Sequence, residues 1–218
     1  ALEYDPVRDF APVSQLASFD LAISVGPHVP ARNLAELVDW LKDNPKQANF
    51  GTPGTGTLPH FFGIMFAKAA GITLQHVAYK GGTQALSDLM GGQIPIVMVS
   101  TNEFAELHKA GKLRVLATSD VKRSTFLPDV PTFKESGYDV VGTGWFGVFA
   151  PARTPTATIA ALNAAIVEAL GKDDVKEKVR RFGLQPAAGT PDEFGRIQRE
   201  DIARWAAAVK ASGFTPEQ

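Results

Sequence analysis

The chain has 218 residues and a formal net charge of −1, from 22 basic and 23 acidic side chains; this is one large domain or two small ones, with neither the basic field of a nucleic-acid partner nor a like-charge run for a membrane surface. It has no cysteine, which excludes disulfides, thiolate metal sites and cysteine nucleophiles. No run approaches the roughly 20 apolar residues of a membrane helix, and the opening Ala1-Leu2-Glu3-Tyr4 has neither initiator methionine nor charged leader, as expected of a processed or shortened product without its signal peptide.

Along the chain, short apolar runs alternate with helical spacing. Residues 21–25 read as a strand, and the run 10–25 can lend strand to later elements. Leu34, Leu37, Val38 and Leu41 follow at helical spacing behind Asn33, an N-cap with Glu36 three residues on. Strands are predicted at 48–52, 73–79, 94–100 and 113–118, with helices at 60–70, 83–90 and 103–110 between them. That order predicts an α/β fold with right-handed crossovers and a parallel sheet. After Ser119 the texture changes. Residues 126–131 are a proline-punctuated connection, Thr132 and Glu135 offer a short capped helix, and 140–150 form a long aromatic strand. Pro155 opens a helix with Ile159, Leu162, Ile166 and Leu170 on one face; a second helix runs over 174–182. Thr190-Pro-Asp-Glu193 is a capping box, and Phe194, Ile197, Trp205 and Val209 give the last helix its apolar face.

Three loops are candidates for chemistry. Gly51-Thr-Pro-Gly-Thr-Gly-Thr57 lies between a strand and a helix, where small residues admit a ligand to the backbone and the helix start offers free amides. Thr52, Thr55 and Thr57 add hydroxyls, Gly56 adds a flexible amide, and His60 follows as a donor to an anion. This is not a Walker A loop, because Thr57 stands where lysine is required. Tyr79-Lys80-Gly81-Gly82-Thr83 repeats the strand, small-residue, helix logic, with Thr83 as a cap, and Ser100-Thr101-Asn102 ends a buried strand. In a parallel sheet all three occupy the carboxyl edge, where ligands of open α/β sheets bind. Each also has a purely structural reading as a turn, a cap or a solvated lysine. His76 reads as a strand residue, Asp88 as a solvated helix residue, and Trp145 with Phe146 as core or as a cover over a ligand. There is no HExxH pair, metal-spaced carboxylate cluster or GxSxG elbow, so no catalytic residue, metal or cofactor is expected.

Tyr4-Asp-Pro-Val-Arg-Asp-Phe-Ala-Pro-Val13, Gly54-Thr-Gly-Thr-Leu-Pro-His60, Val77-Ala-Tyr-Lys-Gly-Gly82 and Asp88-Leu-Met-Gly-Gly-Gln93 together resemble the Bug-type solute-binding proteins. Gly111-Lys-Leu-Arg114, Lys122-Arg123, Leu127-Pro-Asp-Val-Pro-Thr132 and Trp145-Phe-Gly-Val-Phe-Ala-Pro151 extend the resemblance, in order, across essentially the whole chain. These are periplasmic receptors of tripartite tricarboxylate transporters. The resemblance implies a type II periplasmic-binding-protein-like fold, in which two α/β domains close on a ligand like a flytrap. Domain two would span residues 27–139. Residues 1–26 and 140–218 would be the remainder of domain one, whose first strands lie upstream of this start. Absence of those strands leaves an unpaired sheet edge that admits a second copy of the chain.

The same resemblance implies a non-catalytic, periplasmic receptor that delivers a small organic carboxylate to membrane transporter subunits. Its contacts would be Thr52, Thr55, Gly56, Thr57, His60, Lys80, Gly81, Ser100 and Thr101, with Phe146 from the return crossing. Many members carry an acid just before the serine at the strand end, suited to an amino acid's ammonium. Val99 stands there, so a dicarboxylate or aromatic acid is expected. The alternatives are an enzyme that uses the glycine loops for a phosphate or nucleotide, and a sensory protein built on the same binding domain. The enzyme would need an acid, base or nucleophile at these loops, where only His60 and Lys80 are available.

Overall fold

The computed structural model describes residues 3–214; residues 1–2 and 215–218, the outer ends of the expected domain spans, lie outside the described residues. The chain divides into two compact units: unit 1 is Ala1–Phe19 with Trp145–Ala207, and unit 2 is Asp20–Gly144 with Ala208–Gln218.

Unit 2 rests on three short parallel strands. β1 (Phe10–Val25) comes first in the chain, and β2 (Asn49–Thr52) follows helix α1 (Leu34–Asp43). β2 pairs with β3 (Gln75–Ala78) from Asn49↔Gln75 to Thr52↔Ala78, and with β4 (Ile96–Ser100) at Phe50↔Ile96 and Gly51↔Val97. Parallel neighbours need a crossover, supplied by α2 (Leu58–Ala69) and α3 (Gly82–Met90). Ile96, Val97, Met98 and Val99 are all fully buried, the pattern of a strand covered on both faces. The strand expected at 21–25 is the far end of the 16-residue β1. It lies antiparallel between β4 and β5 (Arg114–Thr118), with Leu21↔Ser100 and Ala22↔Thr118. The strand order β3-β2-β4-β1-β5 is therefore mixed rather than all parallel.

α1 has the predicted cap. Asn33 Oδ1 accepts the Glu36 amide at 2.9 Å, and the Glu36 carboxylate accepts the Arg32 amide at 2.7 Å. α4 (Thr101–Lys109) starts directly at the end of β4, two residues before its expected start. The Thr132–Glu135 box also forms, with reciprocal bonds of 2.8 and 3.0 Å, but no helix grows from it. It closes a turn that Gly137 ends at φ +90°. Buried Ser119 ties two distant segments together. Its Oγ accepts the Leu21 amide at 2.7 Å and donates to Gly142 O, while its backbone bonds Leu21 O at 2.8 Å and the Gly142 amide at 3.0 Å.

In unit 1 the first half of β1 pairs with β6 (Thr143–Pro151) and with β7 (Gln185–Pro186) at Ala17↔Pro186, so the 10–25 run does supply strand there. The helices are α5 (Thr156–Gly171), α6 (Asp173–Arg181) and α7 (Pro191–Ser212) up to Ala207, its remaining residues being counted with unit 2. Phe194 packs its ring 5.0 Å from Trp145 and 4.8 Å from Phe149, and Trp145 Nε1 donates to Asp201 Oδ2 at 2.7 Å. On α5, Ile159 is buried beside Val13 and Ala150, while Ile166 and Leu170 are half-buried and Leu162 is exposed. The predicted apolar face thus packs through Ile159 and, less fully, Ile166, while Leu162 stays outside it.

α2 approaches β2 so closely that a Cβ at Gly63 would lie 2.2 Å from the Phe50 ring. Gly63→Ala is expected to cost about 1–3 kcal/mol in urea unfolding, because Phe50 is fully buried and must shift. Gly171→Ala, where nothing lies within 4 Å, is expected to change stability by less than about 0.5 kcal/mol.

Candidate functional site

Because β2, β3 and β4 run parallel, their carboxyl ends share one edge of unit 2. The 53–57 loop, the 79–81 loop and the Ser100/Thr101 junction all leave from that edge. The first two are tied together: the Tyr79 amide donates to Thr52 O at 2.9 Å and the Gly81 amide to Pro53 O at 3.1 Å. Each loop leads into a helix whose N-cap residue makes no side-chain capping bond: Thr57 for α2, Gly81 for α3 and Ser100 for α4. Uncapped starts keep backbone N–H groups open and place the positive ends of the helix dipoles there, an arrangement that favours anions. Thr83, the cap expected for α3, sits exposed inside the helix, since Gly81 at φ +115° takes the cap position.

The expected site residues of unit 2 fall into two groups. The hydroxyls of Thr52, Thr57 and Thr101 are spent inside the protein. Thr52 Oγ1 bonds Gly54 O at 3.1 Å and lies 2.7 Å from His76 Nε2; Thr57 Oγ1 donates to Gly54 O at 2.7 Å; Thr101 Oγ1 donates to Asp20 Oδ2 at 2.7 Å. His60 is buried, and its Nδ1 accepts the Gly56 amide at 3.2 Å. The side chains of Thr55, Lys80 and Ser100 show no hydrogen-bond or ionic partner among the described residues; Thr55 and Lys80 are exposed and Ser100 is half-buried. Gly56, at φ +76°, rests on the ring of Phe214, 2.8 Å from the position of a Cβ. Phe146 belongs to unit 1, where it is 52% exposed with its ring 5.7 Å from that of Phe19.

Three further groups shape this edge. His76 stacks on His60 with ring centroids 3.9 Å apart, and burial, helped by the His60 charge, pushes its pKa down to about 4. Burial also lowers His60. Both imidazoles are therefore favoured neutral in the fold, and their contribution to stability falls away as pH drops from about 6.5 through those depressed values. Asp20, nearly fully buried, accepts from Thr101 and, at 3.3 Å, from Ser124; burial raises its pKa and those hydroxyls oppose the rise. Glu103 is exposed over the residue as a whole, but its carboxylate is pressed against Gly82, with Oε2 2.0 Å from the position of a Cβ there. Burial of that end raises it and the Ser100 amide opposes, so Ser100 and Glu103 form half of a capping box. The Ser-x-x-Glu spacing was visible in the sequence. Nothing local announced the histidine stack or the reach of Asp20 to Thr101. Asp88 is half-buried rather than solvated, because Tyr79 Oη donates to its Oδ2 at 3.0 Å, and burial with that bond pushes Tyr79 up to about 12. Among the described residues no group of His, Asp and Glu is placed to hold a metal, and no helix is long and apolar enough to cross a membrane.

Over residues 1–214 the sequence matches the family described as tripartite tricarboxylate transporter family receptor, and the chain belongs to that family. It is 31% identical to the protein BugT of Bordetella pertussis over 214 residues, which is 98% of this chain and 66% of BugT. It is 31% identical to a UPF0065 protein in the tcbD-tcbE intergenic region of Pseudomonas sp. (strain P51), covering 93% of this chain and 61% of that one. The chain thus spans somewhat under two thirds of the length of these curated relatives. Among solved structures, an R. palustris protein with adipate superposes with a TM-score of 0.84 at 31% identity, covering all of this chain and 73% of that one. MatC from Rhodopseudomonas palustris with bound malate gives 0.79 at 25% identity, covering 95% and 72%. The periplasmic binding protein BugD gives 0.80 at 27%, covering 96% and 71%.

Asp20 braces the start of α4. Asp20→Ala is expected to cost about 2–4 kcal/mol in denaturant unfolding at neutral pH, since it strands the buried hydroxyls of Thr101 and Ser124. Asp20→Asn keeps an acceptor and removes the cost of burying charge, so it is expected to stay within about 1 kcal/mol of the unmodified protein.

Proposed function

We propose that the protein is a periplasmic receptor that captures a small organic carboxylate and hands it, chemically unchanged, to the membrane subunits of a tripartite transporter. The observation that carries this reading is the convergence of three uncapped helix starts on one strand edge. Hydrogen bonds to a charged group are worth roughly 1.5–3 kcal/mol each. Several of them supply the roughly −8 kcal/mol of micromolar affinity after the costs of association. Membership of the receptor family, and relatives solved with adipate and malate, support the ligand class. An enzyme would need a reactive set at this edge, and the His60 Nδ1 is already engaged by Gly56.

The acid has no amino group in this reading, and a dicarboxylate or an aromatic acid is favoured. Val99, ahead of Ser100, is apolar and fully buried, and the Glu103 carboxylate is held at the Ser100 amide and against Gly82. Ser100, Lys80 and Thr55 are the side chains free to meet the ligand, with the amides of Gly82 and Thr83 and of the first turn of α4. Domain two over 27–139, with 1–26 and 140–218 as the rest of domain one, belongs to the same proposal. So does pairing of two copies along an open strand edge, which light scattering reads as a mass that rises with concentration.

Calorimetric titration with adipate, malate, benzoate, aspartate and a nucleotide tests the reading. Adipate, malate or benzoate is expected to bind at micromolar level, and Ser100→Ala to weaken that binding about tenfold or more. Binding of the nucleotide with no response to any acid would overturn the receptor, and selective binding of aspartate would overturn the choice of acid.

A further inference from the structure

His60 bonds the 53–57 segment directly, and His76 reaches it through Thr52. His60, in the first turn of α2, accepts the Gly56 amide on Nδ1 at 3.2 Å. His76, on β3, sets Nε2 2.7 Å from Thr52 Oγ1, whose hydroxyl also reaches Gly54 O at 3.1 Å. The rings stack at 3.9 Å with 30° between their planes, and Phe50 flanks both, 6.5 Å from His60 and 5.2 Å from His76. Accepting from Gly56 requires an unprotonated Nδ1, so His60 carries its one proton on Nε2. A second proton would set N–H against N–H and remove the bond that holds Gly56 at φ +76°.

The surroundings leave such a proton without compensation. Phe50 and Thr52 face the pair from β2, Phe61 from α2 and Gly56 from the loop, and Phe214 packs on Phe61; none of these is charged. His60 is the one titratable group whose charge acts on His76, burial alone acts on His60, and burial disfavours charge on both. The two rings also join separate elements, α2 and β3, to one loop.

We propose that the stacked imidazoles of His60 and His76 hold the 54–57 loop in its ligand-accepting shape only while both are neutral, so that a proton entering the pair withdraws the loop and lowers affinity for the acid. His76 is then a positioning residue, acting through Thr52 and His60. The inference rests on the reading of this edge as a carboxylate site.

Two measurements test it. In the unmodified protein, NMR follows the histidine rings and the Gly56 amide from about pH 7.5 to about pH 4.5. The Gly56 signal is expected to move with the titration of the imidazoles, at midpoints below the ordinary 6.5. Imidazoles that titrate while Gly56 stays still would overturn the coupling. In the second measurement adipate is titrated over the same range into the protein and into a His60→Asn, His76→Gln double variant. The amides of that variant supply the same hydrogen-bond atoms but take no proton there. The ligand's own titration is common to both chains. Each chain is compared with itself across the range: the protein's affinity is expected to fall more steeply toward the acid end than the variant's, whatever the variant's affinity at about pH 7.5. Parallel loss of affinity in both chains would overturn the inference and leave the receptor reading intact. Failure of either chain to bind any acid would overturn the receptor reading and the proposed link to capture with it.

Discussion

The parallel pairing of β2 with β3 and β4 is the constraint on which the rest of unit 2 depends. Parallel strands cannot be joined by a tight turn, so each must be followed by a crossover, and each crossover helix starts where its strand ends. Three helix starts are thereby brought to one edge with their dipoles pointing the same way. Glycine is needed at this edge for geometry: Gly81 and Gly56 hold positive φ, and Gly51 makes room for the Tyr79 ring across β2. The N-cap side chains make no capping bond at these helix ends, where only α4 has half a box through Glu103, although α1 in the same unit has a complete one. Unfilled amides are a cost in a resting protein and an advantage only if something negative comes to them.

Beneath the open edge lies a layer of buried polar groups. Asp20 is held by two hydroxyls, the histidines lean on each other and on the loop, and Ser119 spends both backbone and side chain on Leu21 and Gly142. Burying such groups stabilises less than apolar packing of the same volume would. What they add is a unique geometry, since a hydrogen-bonded pair has one good arrangement and an apolar contact has many. The hydroxyls of Thr52 and Thr101 look like ligand donors in the sequence and serve as struts in the fold.

What could be read in advance was local. The Asn33 cap with Glu36, the strand–loop–helix order over 48–118 and the glycine loops all depend on neighbours within a few residues, and the structure keeps them. The misreadings arose where a distant partner decides. β1 looked like a five-residue strand because only its far end, residues 20–25, forms a continuous buried run, while its first half, paired with β6 and β7, is mostly half-buried. Thr132 and Glu135 made their box without a helix, since Gly137 turns the chain first. His76 gave no sign of its importance, because its partner His60 lies on the helix before it.

The place of β1 in the sheet has a consequence for how the chain assembles. β1 is the first strand in the sequence, yet in unit 2 both of its edges are satisfied by strands made much later, β4 and β5. The β2–β3–β4 layer can collapse from contacts within a short stretch of chain, whereas residues 20–25 stay unpaired until β4 and β5 reach them. Closing loops of that length is what slows folding in sheets of high contact order. Pairing β1 on both edges therefore needs the longest strand-to-strand closures in the sheet of unit 2.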